Sequence, residues 1–420
     1  MDAINRSIKL VEQGKVEEAT QLLDQVTESA SDEEKFTIIN LYYEWGFLEQ
    51  AIQLLEELLQ KYPKEGEIIT LLAEINIELE KDDEAIELLN QLNKDDPFYA
   101  AALMQLADLY QAQGLFEVSE QKLLEAKDMY PEEIVIDFAL GELMFSIGQP
   151  NRAIPFYERT LLKTKELNGV SIQERLAESY ASVGRYEEAL QFYEKLSSEH
   201  PDTLFKHGFT AFERGRNDIA IRIWSKLMEI DPYYYTVYEQ LSKAYKAEGR
   251  LEEAYEVVQK GLQMNEFNKD LYFTAGQLAY QLLKVSESTE YIQQAIALDH
   301  DFSKAVLFLV TIYTDENEYN KIIHLINDVK AAGATNPLYD WELAKAYNEQ
   351  EAYKEALQMY KEASTELSDD SDFLKEYGYF LVEEGLISDA KETLQQYMDL
   401  EPLDEEVAAF LERLNFSNHE

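Results

Sequence analysis

Apolar residues recur along the chain at steps of three and four positions, which is the spacing of one face of an α-helix. After Ala51, for example, Ile52, Leu55, Leu58 and Leu59 follow this spacing, and glutamate and glutamine fill most positions between them. Such segments alternate with short breaks along the chain, and none shows the strict two-residue alternation of a strand. The pattern therefore predicts an all-α protein without β-strands.

A longer period in the sequence predicts that the helices occur in pairs. A small residue, a tyrosine three positions later, a glycine seven positions later and an alanine twelve positions later recur along the chain. The alanine position is occupied by Ala19, Ala51, Ala85, Ser119, Ala153, Ala189, Ala220, Ala254, Ser288, Ile322, Ala356 and Ala390. Most of the spacings between these residues are 34, so the chain contains twelve copies of one unit.

Each recurring residue type has a structural reason. The small residue and the alanine fit where the two helices of a pair cross, because larger side chains would separate the helices. The glycine ends the first helix in the left-handed backbone conformation. A proline at the closing position, as in Pro63 and Pro131, stops the second helix. Each unit is therefore predicted to be a helix-turn-helix pair.

These positions resemble the tetratricopeptide-repeat (TPR) family, and the resemblance covers about residues 1–402. It implies a right-handed superhelical solenoid of about twelve helix-turn-helix repeats with a C-terminal capping helix. We expect repeats 1–6 in residues 1–196, repeats 7–12 in residues 197–402, and a capping helix and tail in residues 403–420. In its overall build, the chain resembles bacterial cytoplasmic TPR proteins of the YpiA type.

Two places depart from the regular period. Two residues are inserted around 165–170, and three are missing before Ala220. The tenth repeat has Val310 at the small position, Ile322 at the alanine position and a late Pro337. We expect a change of superhelical pitch between residues 165 and 220. Near residues 310–337 the alternatives are a second pitch change and neutral drift of a loop.

The charge of the chain restricts its partners. With 83 acidic and 37 basic residues, the formal net charge is −46. Such a surface repels the phosphates of nucleic acids and anionic lipids and favours basic partners, although the charge could equally serve solubility. The absence of cysteine excludes disulfides, thiolate metal sites and cysteine nucleophiles.

Signals for export, membrane insertion and catalysis are missing from the sequence. The apolar runs, such as residues 305–310, are far too short for a membrane span, and the first residues lack the apolar stretch of a signal peptide. The five histidines make no metal-binding pair on a helix face, and no phosphate-binding glycine loop or nucleophile elbow occurs. We expect a cytoplasmic protein that is not an enzyme and has no cofactor, metal or small-molecule substrate.

In TPR arrays the first helix of each repeat lines a concave groove, through positions −3, +1 and +4 relative to the small residue. Here these positions carry aromatic residues in several repeats and lysines in the eighth. The candidate partner-binding residues are Phe36, Asn40, Tyr43, Phe205, Phe209, Phe212, Lys243, Lys246, Phe273, Tyr280, Trp341 and Lys345. Residues 204–226 hold five basic and two acidic residues, which predicts a basic and aromatic island at mid-groove. The alternative role for Phe205 and Phe212 is packing between repeats.

The expected function is that of a protein–protein interaction scaffold or adaptor, which binds partner proteins or peptide segments in its concave groove. The alternative is a single-ligand peptide receptor or chaperone of the TPR type. Some TPR domains hold chaperone C-terminal tails with a clamp of lysine and asparagine. That clamp is incomplete here, since Phe36 stands at the lysine position beside Asn40, so chaperone-tail binding is not expected.

Overall fold

The computed structural model describes residues 2–416, which form 25 α-helices and one short β-hairpin. The helices of the first six repeats are α1 (Asp2–Glu12), α2 (Val16–Thr27), α3 (Asp32–Glu44), α4 (Leu48–Lys61), α5 (Gly66–Glu78), α6 (Asp82–Leu89), α7 (Tyr99–Ala112), α8 (Phe116–Met129), α9 (Ile134–Ser146), α10 (Pro150–Leu161), α11 (Ile172–Ser182) and α12 (Tyr186–Tyr193).

Six further pairs and a final helix follow. They are α13 (Pro201–Glu213), α14 (Asn217–Ile230), α15 (Thr236–Ala247), α16 (Leu251–Met264), α17 (Lys269–Gln281), α18 (Val285–Leu298), α19 (Ser303–Asp315), α20 (Tyr319–Ala331), α21 (Pro337–Glu349), α22 (Tyr353–Ala363), α23 (Ser371–Glu383), α24 (Ile387–Leu400) and α25 (Glu405–Phe416). The predicted all-α fold of helix-turn-helix repeats with a final capping helix is confirmed.

The expectation of a chain without strands was wrong at one place. Strands β1 (Glu166–Leu167) and β2 (Val170–Ser171) pair antiparallel. Asn168 and Gly169 form the turn between them with φ of 51° and 77°, and two such positive values are what a two-residue type I′ hairpin turn requires. The hairpin lies where the sequence gains two residues, so the insertion forms a small ordered element.

A left-handed residue joins the two helices of each pair. Eight repeats have glycine there with φ between 72° and 79°, at Gly14, Gly46, Gly114, Gly148, Gly184, Gly215, Gly249 and Gly385. The other four repeats hold Glu80, Leu283, Asn317 and Glu351 in the same conformation, with φ between 57° and 61°. The turn geometry is therefore the same in all twelve repeats, even where no glycine is available to adopt it without strain.

The small residue of the first helix packs against a large side chain on the second. A Cβ atom built on Gly208 would lie 2.4 Å from Trp224, and one built on Gly141 would lie 2.7 Å from Tyr157. Both large side chains are fully buried and stand sixteen positions after the glycine. The small residue therefore makes room for a bulky partner and also lets the helices approach.

The chain divides after Ser197 into two compact units. The first contains α1–α12 and the hairpin, and the second contains α13–α25. Each unit is a stack of helix pairs with its own buried apolar clusters, for example around Tyr157 in the first and around Tyr360 in the second. Since neighbouring pairs share these clusters, each unit is a helical solenoid.

The final helix closes the second unit. Val407 and Leu411 of α25 are buried in the same cluster as α22–α24. Its first turn is fixed by Asp404, whose Oδ1 accepts hydrogen bonds from the backbone N–H groups of Glu406 and Val407, both at 3.1 Å. Residues 417–420 of the predicted tail lie outside the described residues. Within residues 2–416, no helix is both long enough and apolar enough to cross a membrane.

Candidate partner-binding groove

The first helices of repeats ten, eleven and twelve form a groove in the second unit. Its walls are α19, α21 and α23, with contributions from α20 and α22, and its volume is about 630 Å³. This volume falls in the range of about 300–1,000 Å³ that is usual for ligand-binding sites. Three consecutive repeats therefore share one concave surface.

The lower part of the groove is apolar. Leu307 and Val310 of α19, Leu338 and Ala346 of α21, and Ile322 of α20 line it. Val310 and Ile322 are the two residues that break the repeat pattern, and they are 3% and 2% exposed. The irregular tenth repeat thus brings larger aliphatic side chains to a helix crossing beneath the groove.

Five carboxylates and one ammonium group lie along the same groove. The carboxylates are those of Asp315, Glu342, Glu349, Glu376 and Glu383. Lys345 is the one basic residue among the described lining residues. Its Nζ donates a hydrogen bond to Glu342 and lies 4.6 Å from the centre of the Trp341 ring. The groove is therefore strongly negative, and its single cation already has two partners.

Glu376 is held in place by two neutral donors. Its Oε1 accepts one hydrogen bond from Trp341 Nε1 at 2.8 Å and another from the Tyr360 hydroxyl at 2.7 Å. Burial, and then the charge of Glu376, raise the pKa of Tyr360, so this hydroxyl stays protonated and keeps donating. Within residues 2–416, Glu376 is in no salt bridge. The carboxylate is thus oriented without being neutralised.

Two of the residues expected from the sequence belong to this groove. Lys345 lines it directly, and Trp341 orients Glu376. The Trp341 ring also packs edge-on against Phe373 of the next repeat, with 5.6 Å between the ring centres. Trp341 therefore acts on the groove through Glu376 and supports the contact between repeats eleven and twelve.

Phe273 and Tyr280 lie beside the groove, where repeats nine and ten meet. Both rings contact Phe308 of α19, at centre distances of 5.9 Å and 5.7 Å. Phe273 also contacts Phe302 at 5.3 Å, and the Tyr280 hydroxyl donates to Asp315 at the groove rim. These two aromatic residues join neighbouring repeats.

In the mid-groove island, the three phenylalanines have different environments. Phe205 and Phe212 are half-buried and contact the buried Trp224 ring at 6.1 Å and 5.9 Å. Phe205 also contacts Tyr234, which follows α14. Phe209, in contrast, is 42% exposed. Packing within and between repeats therefore occupies two of the three rings.

Lys243 and Lys246 are exposed on α15, which contacts helix α13 of the island. Lys243 forms a salt bridge with Glu239 at 2.7 Å, whereas no salt bridge is present for Lys246 within residues 2–416. Among the basic residues of the island, Lys226 lies 2.8 Å from Glu199 and Arg216 lies 3.5 Å from Asp218. The island is therefore less positive than the sequence count suggests.

The candidate residues of the first unit have different environments. Phe36 packs against the apolar cluster of α1–α5, and Asn40 is exposed. The Tyr43 hydroxyl donates to Glu74 at 3.1 Å and to Glu78 at 2.6 Å, both in the next repeat. Tyr43 thus also forms a contact between repeats.

Sequence analysis missed the carboxylates of the groove. They stand at positions −2 and +5 relative to the small residue, as Glu342 and Glu349 do in repeat eleven. The candidate residues from the sequence stand at positions −3, +1 and +4 and do not include these acids. The available signal was the recurrence of an acid at +5 in three successive repeats, at Asp315, Glu349 and Glu383.

Comparison with protein families gives matches along most of the chain. Residues 337–404, which include α21 and α23, match the family of YpiA-like, C-terminal tetratricopeptide repeats. Residues 111–165 match the family of YpiA-like tetratricopeptide repeats. Three general tetratricopeptide-repeat families match residues 46–109, 174–204 and 235–268.

Two relatives illustrate the range of similarity. The chain is 41% identical over 413 residues to the TPR repeat-containing protein YpiA of Bacillus subtilis, and the match covers 98% of each chain. It is 22% identical to the TPR repeat-containing protein MJ1428 of Methanocaldococcus jannaschii, over 71% of this chain and 56% of that protein.

Solved structures with the same type of fold are more distant. YrrB, described as a TPR protein with an unusual peptide-binding site, is 18% identical with a TM-score of 0.38; the match covers 44% of this chain and 95% of YrrB. A tetratricopeptide-repeat protein from Parabacteroides merdae is 18% identical with a TM-score of 0.40, over 58% of this chain and 97% of that one.

Proposed function

Because this chain belongs to the family of YpiA-like tetratricopeptide-repeat proteins, we propose that it is a cytoplasmic, non-enzymatic scaffold that binds a partner protein in the groove of α19, α21 and α23. Tetratricopeptide-repeat proteins generally mediate protein–protein interaction. The observation that carries the proposal is a groove of about 630 Å³ with an apolar floor and a charged rim, built across three successive repeats. Such a surface suits an extended peptide or a helix with apolar anchors.

A second contact area belongs to the same proposal. The exposed ring of Phe209 and the ammonium groups of Lys243 and Lys246 stand on neighbouring first helices of the second unit. An aromatic anchor that becomes buried in an interface contributes about 2 kcal/mol or more to binding, whereas rim lysines act mainly on association rate and specificity. A scaffold that holds two partners would use this area and the groove separately.

A single-ligand peptide receptor or chaperone is the second candidate function. The limited size of the groove favours it, since three repeats suffice for one short segment. The two functions differ in stoichiometry. A receptor is saturated by one ligand that raises its melting temperature, whereas a scaffold retains two different proteins at once.

The proposal is tested by affinity capture from cytoplasmic extract with two matched variants. Thr311 lines the groove and is exposed, so Thr311→Trp fills the groove without changing the charge. Thr365, an exposed threonine that does not line the groove, supplies the control Thr365→Trp.

We expect proteins held by the wild type and by Thr365→Trp to be lost by Thr311→Trp. If Thr311→Trp keeps them, the groove is not their binding site. A parallel capture with Phe209→Asp/Lys243→Glu reports on the second contact area. Unchanged capture by this variant removes that area from the proposal.

A further inference from the structure

The groove differs from the rest of the acidic surface in ways that specify its occupant. The chain as a whole has 83 acidic and 37 basic residues, whereas the lining of the groove has five carboxylates and one lysine. That lysine, Lys345, is bonded to Glu342. A partner that entered the groove would therefore meet an excess of carboxylates, most of which form no salt bridge within residues 2–416.

The carboxylates are spread along the groove. No group of three histidine or acidic side chains within residues 2–416 has the geometry to hold a metal ion. The acids instead come from successive repeats, Asp315 from the tenth, Glu349 from the eleventh and Glu383 from the twelfth. A row of separated negative charges complements several cationic side chains placed along one segment of a partner.

The floor supplies the second requirement. Leu307 and Leu338 are partly exposed and present aliphatic surface to the groove, beside the buried Val310. A purely polar polycation would leave this surface exposed to water, whereas an apolar side chain would bury it. The occupant therefore needs an apolar anchor as well as positive charge.

Glu376 gives the groove one fixed point of recognition. Since Trp341 and Tyr360 both donate to its Oε1, the carboxylate is held in one orientation before a partner arrives. A preoriented carboxylate loses little conformational entropy on binding a lysine or arginine. An acidic segment or a free C-terminal carboxylate, in contrast, would meet repulsion from this group.

We infer that the groove of α19, α21 and α23 binds a peptide segment of a partner protein in which lysine or arginine side chains flank an apolar anchor. The inference rests on the proposed function, because it names the chemistry of the partner for the same groove.

The test uses three fluorescent peptides with the full-length protein. The peptides share one leucine-containing sequence and differ only in having lysine, glutamine or glutamate at every polar position. The groove variant is Glu349→Lys/Glu383→Lys. The control, Glu355→Lys/Glu392→Lys, makes the same charge change at exposed residues of α22 and α24 that do not line the groove. Circular dichroism of each variant verifies that the helices are intact.

We expect the lysine peptide to bind the wild type at least about tenfold more tightly than the glutamine peptide, a difference of about 1.4 kcal/mol. The groove variant should lose about tenfold or more, and the control variant less than about twofold. Binding should weaken as NaCl is raised from about 0.1 M to about 1 M, because the Debye length shortens from about 10 Å to about 3 Å.

Other outcomes separate this inference from the proposed function. Equal binding of the lysine and glutamine peptides, or equal losses in the groove and control variants, overturns the inference of a basic partner. Thr311→Trp then tests the groove itself, because a peptide that binds the wild type but not this variant must bind in the groove. If none of the three peptides binds, the inference of a basic partner fails, and the affinity capture with Thr311→Trp still decides on the groove. If a peptide binds Thr311→Trp as tightly as the wild type, the groove is not its binding site.

Discussion

At the scale of single residues, backbone conformation and burial decide what each repeat tolerates. The turn between paired helices requires a left-handed residue, and the four repeats without glycine adopt that conformation nonetheless. The sequence predicted this role for glycine, but not that leucine or glutamate would be forced into the same geometry. The reason is that packing on both sides fixes the turn, and tertiary structure overrides the preference of one residue.

Leu283 offers a direct test of this strain. Its φ is 61° and its side chain is 87% exposed, so Leu283→Gly removes the strain while losing little packing. We expect the free energy of unfolding to rise by about 0.5–1 kcal/mol, since the left-handed conformation costs roughly 1–2 kcal/mol and the flexibility of glycine offsets part of it. Asn317→Gly is the control, with a smaller effect because asparagine tolerates this conformation. Chemical denaturation measures both, and a loss of stability in Leu283→Gly would refute the account.

His207 predicts a specific pH dependence. Burial, and then the charge of Arg222, lower the pKa of His207 to about 4. An unfolded histidine takes up a proton near pH 6.5, so the folded state loses stability as the pH falls from about 6.5 to about 4. The contribution of this group is on the order of 3 kcal/mol.

The measurement is the melting temperature of the wild type and of His207→Asn from about pH 7 to about pH 4. This range covers the pKa of a histidine in the unfolded chain and that of His207 in the folded protein. We expect the wild type to lose more stability on acidification than the variant does. Since both proteins carry the same carboxylates, the difference between the two curves isolates His207. Parallel curves would show that the folded state binds the proton as readily as the unfolded chain.

At the scale of elements, the repeat pattern predicted the helix pairs because local packing restricts the residue type at each position of the repeat. It could not predict which aromatic residues stay accessible to a partner protein, because that depends on the side chains that pack against each ring within this chain. Phe205 and Phe212 pack around Trp224, whereas Phe209 between them does not. The β-hairpin was missed although Asn168–Gly169 is the pair of residues that such turns favour.

The pairing of a small residue with a bulky one sixteen positions later predicts a coupled pair of substitutions. Gly208→Ala places a Cβ 2.4 Å from the Trp224 ring, so we expect a loss of about 1–3 kcal/mol of stability. In other repeats an alanine faces a leucine, as Ala73 and Leu89 do at the same positions.

Adding Gly208→Ala to Trp224→Leu should therefore cost less than adding it to the wild type. A double-mutant cycle measured by denaturation gives this difference. Equal losses of stability in the two backgrounds would mean that the glycine allows the two helices to approach each other and does not specifically make room for the tryptophan.

At the scale of the whole molecule, charge and repetition together define the binding surface. A net charge of −46 is a property that composition alone reveals, and it pointed to basic partners. The location of the acidic groove could not be predicted from the sequence, because positions −2 and +5 face the groove only once three successive first helices are in place. The irregular tenth repeat, which a period search treats as a defect, supplies part of its floor.

The most direct test of the groove is site-specific photo-crosslinking in cells. A photoreactive phenylalanine analogue replaces Glu349 at the groove rim, or Glu355 on α22 outside the groove, so each variant loses one exposed carboxylate. We predict discrete adducts with a partner protein from position 349 and none from position 355. Adducts from position 355 without any from position 349 would contradict the assignment of the groove as the binding site.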